Sequence, residues 1–287
     1  MTKAFLISAL LLAFLGCNPS DGHKQDATSF QPDKPAFTLY APEIKDSFAL
    51  FISLPEAPDT ARYPVVYLLD ANLYFDIMAT TLHKYAAVGL VPPVILVGIG
   101  YKDLPTMDSL RNRDYTFPTA LPEYEMTTSG GADKFVSFLK KQVIPEVDRR
   151  CKTDPAKRIF AGHSFGGYCV LYALLQGLSD HTFCHYIAAS PALLYNDYYL
   201  LPQLKNVLLS KNDTQKESVF ITFGGLEEEE GDSLTLNALS NQLTSMFSGK
   251  QHNIDRFKCE IYSNLDHMDT PLPSFIKGIQ WALGEEQ

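Results

Sequence analysis

Residues 158–175, RIFAGHSFGGYCVLYALL, constrain the fold more tightly than any other part of the chain. A short apolar run, Ile159 to Ala161, leads into Gly162-His163-Ser164-Phe165-Gly166-Gly167, and a long apolar segment follows at once. This reads as a strand, a tight turn and a helix. Side chains two before and two after a serine on such a bend would collide with it, so glycine at 162 and 166 relieves the crowding. The serine hydroxyl is left pointing outward. The amides beside it open a helix, where unpaired N–H donors carry partial positive charge, so an oxyanion forming at Ser164 would be stabilised there. The five-residue pattern alone arises by chance, and the strand before it and helix after it give it weight.

Around this unit the chain alternates between strands and helices. Phe37 to Leu54 holds two β-rich runs on either side of a charged turn at Glu43 to Asp46, which predicts an antiparallel hairpin at a sheet edge. PVVYLLD (Pro64 to Asp70) and VILVGIG (Val94 to Gly100) are near-continuous apolar runs, as strands covered on both faces of a parallel sheet require. Between them Phe75 to Gly89 reads as a helix, with His83 structural. Residues 101–131, rich in Pro, Thr, Asp and Arg, lack an apolar period and read as a long loop after a strand end, where open α/β sheets place ligands. From Asp133, the positions Phe135, Phe138, Leu139, Val143 and Val147 share one helical face, with a kink expected at Pro145. Further strands are expected in His181 to Ser190, Ser218 to Gly225 and Arg256 to Ser263, and a last amphipathic helix in Ser274 to Leu283. The sum is an α/β chain with a mainly parallel sheet between helices.

Of the 287 residues, 46% are hydrophobic and 20% charged, which suits one globular domain over residues 36–287. A net charge of −9 with no basic run gives nothing to neutralise phosphates, so no nucleic-acid partner is expected. At the start, Lys3 precedes an apolar run from Ala4 to Leu15 that ends in Gly16-Cys17. The run is too short to span a bilayer and has the layout of an export signal. AFLGC resembles a bacterial lipoprotein signal, with Phe14 where leucine is usual. The expectation is a signal peptide at 1–16, lipidation of Cys17, a polar tether at 17–35, and a membrane-anchored protein facing the periplasm or the cell surface. Cys151, Cys169, Cys184 and Cys259 lie in or beside apolar stretches without metal-ligand spacing and read as buried thiols. No metal or cofactor is expected.

A serine hydroxyl needs a base within hydrogen-bond reach. After the strand ending at Phe223 comes GGLEEEEGD, and after the last strand comes SNLDHMDTP. His267 is the candidate general base. Glu227, nearest the strand end, is the candidate acid that would fix its tautomer, with Glu228, Glu229, Glu230 and Asp232 as competitors and Asp266 a weaker rival. The backbone N–H groups of Phe165 and Asn72 are the candidate oxyanion donors. His163, beside the serine, is expected to pack or to line the substrate site.

The ordered series VVYLLDAN, VILVGIG, RNRDYTFP, GGADKFVSFLKKQVIPEVDRRCKTDP, RIFAGHSFGGYCVLYALL, IAASPALL and SNLDHMD resembles the Putative esterase family of α/β hydrolases, over roughly Phe37 to Leu283. That family includes siderophore esterases, esterase D, feruloyl esterases and mycolyltransferases, and the siderophore-esterase branch is the most similar. The resemblance implies an α/β-hydrolase fold and a serine esterase acting on a small-molecule ester through an acyl-enzyme. It puts Ser164 at the nucleophile and His267 at the histidine. Glu227 stands where many members place a carboxylate, although some work with serine and histidine alone. It also makes Arg111, from the RxxDYTP loop, a substrate contact, with Arg113 and Tyr115 beside it. Ala71 departs from a usual glycine, and Leu194-Tyr195 from usual tryptophans. The substrate is therefore open between a siderophore lactone and a feruloyl or acetyl-polysaccharide ester, and a surface-anchored binding protein without turnover is the other reading.

Overall fold

The computed structural model describes residues 34–58, 61–177, 181–210, 217–227, 234–248 and 254–284. The expected signal, Cys17 and all but the last two tether residues lie outside them.

β1 (Phe37–Ala41) and β2 (Asp46–Ser53) form the expected antiparallel hairpin, and β2 also runs antiparallel to β4 (Ile95–Gly100). From β4 onward every pairing is parallel: β3 (Tyr63–Leu68), β5 (Thr153–His163), β6 (His185–Ala189), β7 (Glu217–Gly224) and β8 (Ile254–Tyr262). The order across the sheet is β1-β2-β4-β3-β5-β6-β7-β8.

Successive strand residues point to opposite faces, so an unbroken apolar run feeds two cores at once. Val66, Leu68, Leu96, Ile159 and Ile187 face α1 (Ala71–Ala87) and α9 (Pro271–Leu283), where Phe75, Met78, Phe275 and Ile279 complete one core. Tyr67, Val97, Phe160, Tyr186 and Ile221 face the other way. Their partners are Phe135 of α3 (Ala132–Phe138), Val147 of α4 (Ile144–Arg150) and Leu171 of α5 (Phe165–Gly177), with Leu204 of α7 (Leu200–Ser210) and Leu243 of α8 (Leu236–Phe247). A four-residue turn, α6 (Tyr195–Tyr198), joins β6 to α7.

Two segments differ from expectation. Within the expected loop at 101–131 lies a helix, α2 (Leu104–Tyr115). The Asp103 side chain caps it by accepting from the Thr106 N–H at 2.9 Å, and Pro105 suits its first turn. It buries only Met107, Asp114 and Tyr115, which is too little for an apolar stripe to show. The kink expected at Pro145 is instead absorbed one turn earlier. The helix widens into a π-turn at Leu139–Val143 before α4 restarts, which accommodates a ring that has no N–H to give the ladder.

The parallel strands all end on one edge, and Asp70, Ser164, Ser190 and Glu227 sit there, just beyond β3, β5, β6 and β7.

Candidate active site

Ser164 stands between the end of β5 and the start of α5 with φ 59°, a left-handed conformation uncommon for a residue with a side chain. Its backbone is held from both sides. The N–H donates to Ala189 O at 3.0 Å, and the carbonyl accepts from Tyr168 N at 2.9 Å and Ala192 N at 3.1 Å. A Cβ at Gly162 would lie 2.5 Å from the carbonyl carbon and oxygen of Gly166, which are backbone atoms that cannot swing aside. The glycine expected from the pattern is therefore required by contact.

Across the edge, Glu227 folds back onto the end of β7. Its Oε1 accepts from Gly224 N at 2.5 Å, Ser190 Oγ at 2.5 Å and Thr270 Oγ1 at 3.3 Å. Its Oε2 pairs with His267 Nδ1 at 2.8 Å. Burial works against ionisation of this carboxyl, but the bonds from His267, Ser190 and Gly224 outweigh it and hold the pKa below the usual glutamate range. The unfolded chain therefore takes up the proton first as pH falls, so this carboxylate's contribution to stability is full at neutral pH and lost under acid. Facing an anion, Nδ1 carries the proton, and Nε2 of His267 is left with a free lone pair. Of the rival acids, Asp266 is spent on its own loop, accepting from Met268 N at 2.9 Å and Asp269 N at 3.0 Å. Glu228, Glu229, Glu230 and Asp232 lie outside the described residues.

His163 joins the two halves. Its ring is 4.5 Å from that of His267, centroid to centroid, and its Nε2 lies 2.8 Å from the His267 carbonyl oxygen. A carbonyl only accepts, so Nε2 carries the proton and Nδ1 accepts from Tyr74 OH at 3.1 Å. Burial, then the neighbouring His267, push its pKa down to about 3. The ring is 3% exposed with both nitrogens engaged, which fits the packing role, one of the two expected from the sequence. The peptide bond from His163 to Ser164 thus brings the serine and the Glu227–His267 pair to one place. No hydrogen bond joins the Ser164 hydroxyl to the His267 ring among the described contacts, an arrangement common before substrate draws such pairs together.

Residues 41–246 match the model of the family described as Putative esterase. The chain belongs to that family. Over 224 residues this esterase is 34% identical to the ferri-bacillibactin esterase BesA of Bacillus subtilis, covering 71% of this chain and 76% of that one. It is 30% identical over 171 residues to the siderophore triacetylfusarinine C esterase of Aspergillus fumigatus, covering 58% and 57%. Among solved structures, the BES protein from Bacillus cereus superposes with a TM-score of 0.75 at 24% identity, covering 92% of this chain and 99% of that one. An IroE-like serine hydrolase from Shewanella oneidensis gives 0.71 at 25% identity, covering 86% and 79%. The fold is the α/β-hydrolase fold, and the esterase is an ester hydrolase.

Three residues expected to contact substrate are engaged within the framework of the esterase. Arg111 forks onto Asp70, with Nε to Oδ1 at 3.0 Å and Nη2 to Oδ2 at 2.7 Å, and reaches the His163 carbonyl at 3.2 Å. It is wedged between the rings of Tyr115 and Phe165, at 5.7 and 5.9 Å from their centroids. Tyr115 is wholly buried. Arg113 is drawn to Asp114 and to Asp46 at the start of β2, 2.9 and 3.0 Å away. Arg111→Met would leave the Asp70 carboxylate, 2% exposed, without its cation. The expected cost is about 3–5 kcal/mol, read by chemical denaturation. The KM ratio between an anionic and a neutral aryl ester should stay within about threefold, and a selective rise for the anion would restore Arg111 as a ligand contact.

The candidate oxyanion donors sit at two helix starts. Phe165 opens α5, and Asn72 lies in the first turn of α1, one residue before Leu73 and Tyr74, whose N–H groups both donate to Asp70 O. Because β3 and β5 are neighbours, both starts face the same edge. The Asn72 side chain is turned away, donating to Tyr101 O at 2.9 Å and accepting from Tyr101 N at 2.7 Å, so only its backbone is available. Sequence reasoning missed Ser190, Thr270, Asp70 and Tyr74. None of the four carries a local signal, because the contacts that matter join segments distant in sequence. A second array, Ser53 Oγ to His83 Nε2 at 2.8 Å and His83 Nδ1 to Glu56 Oε1 at 3.3 Å, sits on ordinary strand backbone, with its serine 3% exposed. It ties α1 to β2.

Proposed function

We propose that the protein is a serine esterase of the siderophore-hydrolysing kind, with Ser164 as nucleophile, His267 as base and then acid, and Glu227 as the carboxylate behind it. The observation that carries this reading is the Glu227–His267 pair at 2.8 Å, set through His163 beside a serine on a left-handed turn. Ser164 Oγ attacks the ester carbonyl while Nε2 of His267 takes its proton. Glu227 stabilises the imidazolium, and the N–H groups of Phe165 and Asn72 receive the developing oxyanion. Collapse of the adduct breaks the ester C–O bond, and the departing alkoxide takes the proton from His267. Water, deprotonated by the same nitrogen, then frees the acid and regenerates the serine.

The substrate class rests on the relatives, whose names specify esters of iron chelates, and on the rim. Leu194, Leu226 and Met268, at 50%, 65% and 61% exposure, offer apolar surface on this edge to aryl groups. The test is kcat/KM on a cyclic catecholate trilactone, with and without iron, beside feruloyl and acetyl-sugar esters. The trilactone should lead by about tenfold or more. No trilactone turnover with brisk feruloyl or acetyl-sugar hydrolysis would move the enzyme to polysaccharide esters.

We also propose that Cys17 carries lipid and that residues 17–35 tether the domain to a membrane, on the strength of the AFLGC pattern after a short apolar run. Cys17→Ser should shift the protein from the membrane to the soluble fraction of an expressing bacterium. Equal partition of both forms would end the proposal.

A further inference from the structure

Given the serine-esterase reading, His267 has to present Nε2 in one direction, yet its side chain is the exposed member of the acid pair, at 42% against 13% for Glu227. Much of its loop is pinned. Leu226 N–H donates to Leu265 O at 3.1 Å, Asp266 accepts from two following amides, and Thr270 Oγ1 donates to Asp266 O at 2.6 Å. The His267 carbonyl itself is held by the His163 ring, the same ring that lies 4.5 Å from the His267 imidazole. His163 is in turn fixed at three points: Tyr74 OH on Nδ1, Arg111 on its carbonyl, and Ser164 as its covalent neighbour.

We infer that His163 is a positioning residue: it donates Nε2–H to the His267 carbonyl and so ties the general base to the turn that carries the nucleophile, with Tyr74 keeping that proton on Nε2. The contact does more than fill core. It fixes the distance between two reacting side chains that come from sequence positions 103 apart, one at the end of β5 and the other beyond β8. Neutrality is part of the device. A charged ring would donate from both nitrogens and would turn Tyr74 from donor to acceptor. Burial keeps the ring uncharged from neutral pH down to about 3. The same chemistry says which replacements preserve the tie. Glutamine places an N–H near the Nε2 position, whereas phenylalanine keeps the ring and loses the donor.

The test uses the full-length protein on p-nitrophenyl butyrate, alongside single-turnover labelling of Ser164 by an uncharged fluorophosphonate. His163→Phe should lower kcat and the labelling rate in parallel by about 10- to 100-fold while KM moves less than about threefold, as misplacement of a reacting group by a fraction of an ångström demands. His163→Gln should recover most of that loss. Tyr74→Phe, which frees the tautomer without removing the ring, should lower kcat by a smaller factor, about 3- to 10-fold. A folded His163→Phe with kcat within threefold of wild type, or a His163→Gln as slow as His163→Phe, overturns the inference and points to a packing role only. Should His163→Phe fail to fold, Tyr74→Phe and His163→Gln decide: unchanged kcat in Tyr74→Phe overturns the proposal, and the graded loss supports it. The two readings fail separately. Undiminished turnover by Ser164→Ala removes the serine mechanism, whereas an undiminished His163→Phe in an enzyme that needs Ser164 removes only the tie.

Discussion

Ser164→Ala should reduce kcat for any ester substrate by about four orders of magnitude or more, with KM little changed, because in serine hydrolases the hydroxyl makes the bond that defines the pathway. Its absence leaves only binding and the oxyanion donors, which give a residue of catalysis over water. The loss should be accompanied by complete loss of fluorophosphonate labelling. The fold should be unaffected, since alanine removes only the hydroxyl and keeps the Cβ that already tolerates φ 59°. Gly162→Ala would act differently, forcing a Cβ to within 2.5 Å of the Gly166 backbone and disturbing the turn itself. Comparing melting temperatures of the two variants separates lost chemistry from lost shape. Turnover by Ser164→Ala within tenfold of wild type would exclude this serine as the nucleophile.

Glu227→Gln should cost about 10³- to 10⁴-fold in kcat, the range seen when the acid of a serine-protease triad is made neutral. The mechanism is specific to the geometry. The amide oxygen of glutamine can still accept from Gly224, Ser190 and Thr270 at the Oε1 position, which leaves the amide NH₂ facing His267 Nδ1. A donor there requires the ring proton to sit on Nε2, where it blocks acceptance of the serine proton. Stability should fall less than activity, because most of the bonds survive. A loss below about tenfold would place this enzyme with serine hydrolases that work without a carboxylate, and His267 would act with Ser164 alone.

What the chain revealed before its structure follows from where physics writes strongly in sequence. Val65 to Leu69, Ile95 to Gly100 and Ile159 to Ala161 are apolar on both faces and bracketed by turn residues, so they could hardly be anything but buried parallel strands. Gly162-His163-Ser164-Phe165-Gly166 was legible because the backbone clash that forces glycine is local. Glu227 and His267 were legible because each follows a strand end within a few residues, and parallel strand ends share an edge. Long-range pairing is written less plainly. Nothing local distinguishes Ser190 as a donor to Glu227, since the contact exists only once β6 and β7 are neighbours. Helix α2 shows no apolar stripe because it buries only Met107, Asp114 and Tyr115. The charges of Arg111 and Arg113 are plain in the sequence, but their counter-ions Asp70 and Asp46 lie far along the chain and are met only in the fold.

Those two arginines have a wider consequence. Within four residues, Arg111, Arg113 and Asp114 fasten α2 to the β3–α1 junction, to the start of β2 and to Tyr101. One run of bonds thus reaches from Asp46, at the start of β2, through Arg113 and α2 to Arg111, which bonds both Asp70 and the carbonyl of His163 beside Ser164. The exposed apolar side chains of Leu194, Leu226 and Met268 take no part in this run of bonds, so replacing them leaves the frame's ion pairs in place.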